Sequence, residues 1–97
     1  MPTYISLLRY TQKGIESIKE GAMRYSTVQD VIRSAGGELK AYYVTMGHYD
    51  GVAIMEFPDD ESAARMILAT SSRGNVRSET LHAFSLEQFT NIIGKLP

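Results

Sequence analysis

The 97-residue chain has no cysteine, which removes disulfides, thiolate nucleophiles, iron–sulfur clusters and zinc-finger sites in one step. Its apolar runs are only a few residues long, far short of the roughly 20 a membrane-spanning helix needs, so no membrane partner is expected. An excess of one charge is missing too. The 10 Lys and Arg against 11 Asp and Glu leave a net charge of −1, whereas duplex nucleic acid rewards a concentrated basic face. There is no low-complexity tract, internal repeat or Pro/Ser-rich linker. Met1-Pro2-Thr3-Tyr4 lacks the charged region and apolar core of a secretory signal, which points to the cytoplasm. P-loop, dinucleotide-binding, nucleophile-elbow and His-Glu-x-x-His motifs are likewise missing, so no cofactor is expected. What is present is 43% apolar and 22% charged residues, the balance of one soluble globular domain over residues 1–97.

The periodicity changes along the chain. Tyr4–Tyr10 has the length and Ile/Leu/Tyr content of a strand. Thr11–Ala35 turns helical, with Ile15, Ile18, Ala22, Tyr25, Val28, Val31, Ile32 and Ala35 on one stripe, loosened at Gly21 and stopped by Gly36-Gly37. Glu38–Met46 and Gly51–Phe57 read as strands joined by the turn Gly47-His48-Tyr49-Asp50-Gly51. Asp59 caps a second helix whose inner face is predicted to be Ala64, Ile67, Leu68 and Ser71, closed by Gly74. Asn75–Phe84 is a fourth strand. Ser85-Leu86-Glu87-Gln88 then forms a capping box for a short helix predicted to carry Phe89, Ile92 and Ile93 inward. The order βαββαβ with an added helix predicts an α+β, ferredoxin-like plait: a four-stranded antiparallel sheet with helices on one face.

Apolar residues occupy both alternations of the strands. Leu39, Ala41 and Tyr43 oppose Tyr42, Val44 and Met46; Ala53, Met55 and Phe57 oppose Val52 and Ile54; Ile5 and Leu7 oppose Tyr4, Leu8 and Tyr10. Two helices cover one face, and an open antiparallel sheet normally shows water a polar one. A second copy packed sheet to sheet is the economical cover, so a homodimer or higher homo-oligomer is expected. The alternative is a monomer whose C-terminal segment folds over the sheet.

Gly47-x-Tyr49-Asp50, followed by an apolar strand and Glu56-x-Pro58-Asp59-Asp60-Glu61, resembles the GYD domain family. Gly74-Asn75-Val76-Arg77-Ser78-Glu79-Thr80-Leu81-x-Ala83-Phe84 and the earlier Thr11-x-x-Gly14-Ile15 fit the same family, so the resemblance spans nearly the whole chain. It implies a fold similar to the dimeric α/β-barrel group, which includes small monooxygenases, isomerases and chlorite-dismutase-like haem proteins beside members without known chemistry. The resemblance carries no catalytic residue across, and fold alone confers no reaction.

The candidate residues each carry two readings. Tyr49 and Asp50 either stabilise the turn, Asp50 bonding backbone amides and Tyr49 packing over its neck, or stand at a pocket mouth with His48 and Tyr42 as ligand-binding groups. His48 and Asp50 offer two metal ligands where three or four are needed, so no metal site is expected. Glu56 continues the apolar row of Val52 and Ile54, where a carboxylate must be paired, with Arg9 or Arg77, or protonated. His82 is either a satisfied strand residue or, if the sheet brings it to Glu56, half of a general acid–base pair. Tyr4, Tyr10, Tyr42 and Tyr43 either line a cavity or fill an interface. RNA recognition shares the element order, but Asp50 and Val52 stand where that signature places its phosphate-binding and base-stacking residues. The expectation is therefore a self-associating protein holding a small apolar or aromatic molecule between facing sheets. Any chemistry would be cofactor-independent proton transfer or oxygenation through Glu56 and His82; the alternative is a non-catalytic structural or regulatory oligomerisation module.

Overall fold

The computed structural model describes residues 1–97. Strand β1 (Thr3–Tyr10) is followed by a one-turn helix α1 (Gln12–Glu16), a 3-10 turn (Ile18–Glu20) and helix α2 (Gly21–Ser34). Strands β2 (Glu38–Val44) and β3 (Gly51–Glu56), helix α3 (Asp60–Ser71), strand β4 (Val76–Ala83) and helix α4 (Leu86–Gly94) complete the chain. The four strands form one antiparallel sheet in the order β2-β3-β1-β4, which is the ferredoxin-like arrangement.

The first helical stretch is broken where the periodicity predicted one helix over 11–35. Thr11 caps α1 by accepting from the Gly14 amide at 3.1 Å, and Gly14 lies so close to β4 that a Cβ there would sit 2.0 Å from the Asn75 carbonyl oxygen. That close approach, with the Thr11 amide donating to the Asn75 carbonyl at 3.1 Å, seats α1 against the segment that leads into β4. The Arg24 guanidinium then takes up carbonyls the break leaves free, donating to Ser17 and Gly14 oxygens at 2.9 and 3.3 Å. At the other end Gly36, at φ 80°, lets the Gly37 amide return to the Ile32 carbonyl at 2.9 Å and stop α2.

Asp59 caps α3 through the Ser62 amide at 2.8 Å, and that hydrogen bond holds its carboxyl below the usual carboxylate range. The inner face of α3 differs from the prediction. Ala63 and Met66 are buried and Ile67 packs beside them, whereas Ala64 is exposed and Leu68 is 69% exposed. Two overlapping stripes satisfy helical spacing, and the cap sets the rotation that selects the one starting a residue earlier.

The core is Tyr4, Ile32, Ala53, Met55, Phe57, Ala63 and Met66, on the helix-covered face of the sheet. Strand β2 departs from simple alternation. Leu39 pairs with Met55 but Ala41 with Ile54, so Lys40 is an extra residue in a bulge. Leu39 and Tyr42 therefore face the core, while Ala41 and Tyr43 face outward; Leu39 does not share a face with Ala41 as the period-two reading has it.

Helix α4 also corrects an expectation. Its capping box forms, with Ser85 and Gln88 exchanging hydrogen bonds, but none of its residues is buried, and Phe89, Ile92 and Ile93 are roughly half exposed. The chain measures 52 × 30 × 18 Å, with a radius of gyration of 14.7 Å against about 12.5 Å for a compact domain of this length. Amphipathic spacing says that a helix has a face to cover, and leaves open which surface covers it.

Candidate functional site

The register sorts each candidate residue on a strand onto one face or the other. Thr3, Ile5, Leu7 and Arg9 of β1 point outward, beside Val52, Ile54 and Glu56 of β3, Ala41 and Tyr43 of β2, and Arg77, Glu79 and Leu81 of β4. Tyr4, Ser6, Leu8 and Tyr10 point to the helices, beside Tyr42, Ala53, Ser78 and His82.

Glu56 and His82 are thus on opposite faces, and the sheet itself separates the two halves of the conditional acid–base pair. Glu56 lies between Glu38 on β2 and Thr3 on β1 and forms no ion pair, while Lys40 pairs with Glu38 at 3.5 Å. Arg9 and Arg77, its expected partners, face each other at the far end of β1.

His82 instead joins a cluster at the start of α3. Its Nδ1 lies 3.2 Å from Asp60 Oδ1, and the Tyr4 hydroxyl donates to that same oxygen at 2.5 Å. The His82 ring contacts Tyr4 with centroids 4.9 Å apart and stacks on Phe84 at 5.2 Å. Burial, then the hydrogen bond to Asp60 and the charge of that carboxylate, push the Tyr4 phenol up to about 12. Nothing in the sequence joined Tyr4, Asp60 and His82, since they come from three elements and Asp60 reads simply as an acidic residue in a helix's first turn.

The turn residues Tyr49 and Asp50 act between strands. Asp50 Oδ2 accepts from the Tyr10 amide at 2.9 Å, and the Asp50 amide donates to the Leu8 carbonyl at 2.7 Å, which fastens the turn to β1; within the hairpin the Thr45 amide donates to the Asp50 carbonyl at 3.0 Å and its hydroxyl to the Tyr49 carbonyl at 2.7 Å. The Tyr49 hydroxyl donates to Glu79 Oε2 at 2.8 Å, with the Arg9 guanidinium 5.1 Å from its ring; the bond to Glu79 raises its phenol pKa. His48 packs edge-on to Tyr49 at 4.8 Å and bonds to Arg9. These residues make a polar corner on the outward face, and they bring no third ligand to His48 and Asp50.

Tyr42, the remaining candidate, belongs to a cavity of about 650 Å³ between the helix-covered face of the sheet and α2 and α3. The floor is made of small residues, Ser6, Ala53 and Ser78, and the walls include Leu8, Val28 and Met55. Burial, then the phenol of Tyr10, raise the Tyr42 pKa, against the lowering pull of Arg24.

The geometry defines a small ferredoxin-like protein with one apolar sheet face open and a partly open cavity between the other face and the helices. The chain belongs to the GYD domain family, which matches residues 4–93. It is similar to a Thermus thermophilus protein called glutamine synthetase and cystathionine beta-lyase binding protein, 37% identical over 84 residues, covering 86% of this chain and 88% of that one. Its fold matches the crystal structure of TTHA0845, also from Thermus thermophilus, with a TM-score of 0.56 and 25% identity over 88% of this chain and 95% of that one. No helix is long and apolar enough to cross a membrane.

Proposed function

We propose that this chain is a cytoplasmic, non-catalytic binding protein that pairs sheet to sheet with a second copy and docks on a metabolic enzyme. The observation that carries the pairing is the outward face of the sheet. Ile5, Leu7, Ala41, Tyr43, Val52, Ile54 and Leu81 form contiguous apolar rows there, and α4 does not fold back to cover them. The charges at its corners are opposite. Glu56 stands free at the β2–β3 corner, where Lys40 offsets Glu38, and Arg77 stands free at the diagonal β1–β4 corner, where Glu79 lies beside Arg9. A two-fold axis in the interface plane, across that diagonal, brings each Glu56 over Arg77 of the other copy. The unpaired acid on an apolar row then finds its arginine in trans. The exposed apolar side of α4 extends the surface available to the second copy.

The docking half of the proposal is supported by the relative's name, and an enzyme-binding role needs no assembled acid–base pair. A second reading, a small apolar or aromatic molecule held between the facing sheets, is favoured by Tyr43, a residue 62% exposed on the open face.

Sedimentation equilibrium and native mass spectrometry test the pairing, and calorimetric titration with purified glutamine synthetase and cystathionine β-lyase of the source organism tests the docking. A dimer that binds either enzyme supports the proposal. A chain that stays monomeric at high micromolar concentration overturns the pairing, and a dimer that binds neither enzyme overturns the docking. A dimer retaining extra mass between its sheets favours the second reading.

A further inference from the structure

The cavity under α2 lies on the opposite side of the sheet from the pairing surface and goes beyond the proposed docking role. Protein interiors rarely leave voids larger than a water molecule, whereas ligand pockets span roughly 300–1,000 Å³. At about 650 Å³ this space belongs to the second class. The sheet contributes small residues to the cavity lining, Ser6, Ala53 and Ser78 beneath α2. At Gly51 a Cβ would meet the Tyr42 hydroxyl at 3.1 Å, and its absence lets the phenol lie across the floor.

The Tyr42 hydroxyl borders the cavity and makes no hydrogen bond within the chain, and the rings of Tyr25 and Tyr42 meet edge to face at 5.3 Å. Arg24, whose charge acts on the Tyr42 phenol, and Arg73 belong to the lining against one carboxylate, Glu20. Arg24 is anchored by its bonds to Ser17 and Gly14, so its charge is held in place rather than free to swing into solvent. The lining also includes apolar core residues such as Ile32, Met55 and Met66. A mainly apolar lining with a hydroxyl donor and two cations against one carboxylate complements a molecule that is apolar along its length and anionic at one end.

We propose that this cavity binds a small apolar carboxylic acid, one per chain, with its hydrophobic body against Leu8, Val28 and Met55 and its carboxylate beside Tyr42 and Arg24. The carboxylate accepts from the Tyr42 hydroxyl and is neutralised by the arginines of the lining.

The test is a fluorescence titration of the full chain with 2-naphthoate, and with naphthalene-2-methanol as a neutral analogue of similar shape. Saturable binding of one naphthoate per chain is expected, with the neutral analogue at least about tenfold weaker because it forfeits the charge-assisted contacts. Val28→Phe fills the space and should abolish binding while keeping the wild-type circular dichroism. Tyr42→Phe, which keeps the ring and removes only the hydroxyl, should weaken naphthoate by about tenfold and leave the neutral analogue nearly unchanged. No saturable binding to the wild type overturns the site. Undiminished binding to a folded Val28→Phe chain overturns its location, and equal affinity for both probes overturns the anionic head. If Val28→Phe fails to fold, the Tyr42→Phe comparison decides alone. The enzyme titration is run without naphthoate, so failure of the cavity and failure of the docking role are read separately.

Discussion

Replacing Ile54 with lysine separates a pairing surface from an ordinary solvated one. Ile54 lies near the middle of the outward face, opposite Ile5 on one side and Ala41 on the other, and only half-buried within a single chain. In an isolated chain a lysine there keeps its stem on neighbouring apolar surface and its ammonium in water, so the cost is about 0.5 kcal/mol. In a sheet-to-sheet dimer the same change puts two ammonium groups in a dry interface, one from each copy. No carboxylate stands within the row, since the nearest acids on the face, Glu56 and Glu79, lie a row away in either direction. An uncompensated buried charge costs about 3–5 kcal/mol, so two cost about 6–10 kcal/mol and raise the dimer dissociation constant by roughly 10⁴-fold or more. Sedimentation equilibrium from nanomolar to high micromolar concentration reads the constant, and calorimetry under monomeric conditions reads the fold. Ala64→Lys, on the exposed side of α3, is the control and should leave both unchanged. A dimer surviving Ile54→Lys with its dissociation constant within tenfold of wild type would refute the reasoning. So would a loss of several kcal/mol from the monomer, which would make Ile54 part of the chain's own core.

Three further outcomes follow from the geometry. The Tyr4 phenol is raised to about 12 from an unfolded value near 10, so its stabilising contribution is complete below pH 10 and is lost as pH rises from there to about 12. Thermal denaturation across that window should show the decline and Tyr4→Phe should flatten it; an unchanged slope in the variant would assign the loss elsewhere. Gly37→Ala places a Cβ 2.5 Å from the buried Phe57 ring and should cost about 1–3 kcal/mol in urea unfolding, whereas Gly21→Ala meets nothing within 4 Å in the first turn of α2 and should be neutral or gain up to about 1 kcal/mol. Equal effects at the two glycines would sink the packing argument. Ser85→Ala removes one half of the α4 capping box and should loosen that helix by about 1 kcal/mol, read as faster amide exchange over residues 86–94, with no shift in the melting of the sheet measured on monomer.

The plait was legible in the sequence because each of its elements announces itself locally. Strand-length runs of Ile, Leu, Val and Tyr, the Asp59 and Ser85 caps, and the glycine at Gly36 act within a few residues of where they stand. The β1 and β3 alternations therefore survive intact in the register, and with them the conclusion that both faces of the sheet are apolar. The turn motif that marks the family was legible as residue types, but its bonds were not, since Asp50 reaches Tyr10 and Tyr49 reaches Glu79 across strands.

What only the tertiary structure decided is where non-local geometry enters. The extra residue at Lys40 exchanges the faces of part of β2, because a one-residue slip inverts every side chain after it. The rotation of α3 chose Ala63 and Met66 over Ala64 and Leu68, although both stripes have helical spacing. Glu56 and His82 fell on opposite faces, and His82 met Tyr4 and Asp60 instead, because strand pairing brings together residues far apart in the chain. The apolar spacing of α4 called for a covering surface, while the three-dimensional arrangement leaves that face of the helix exposed. Periodicity determines which side of an element avoids water; the packing of all the elements together determines what meets it there.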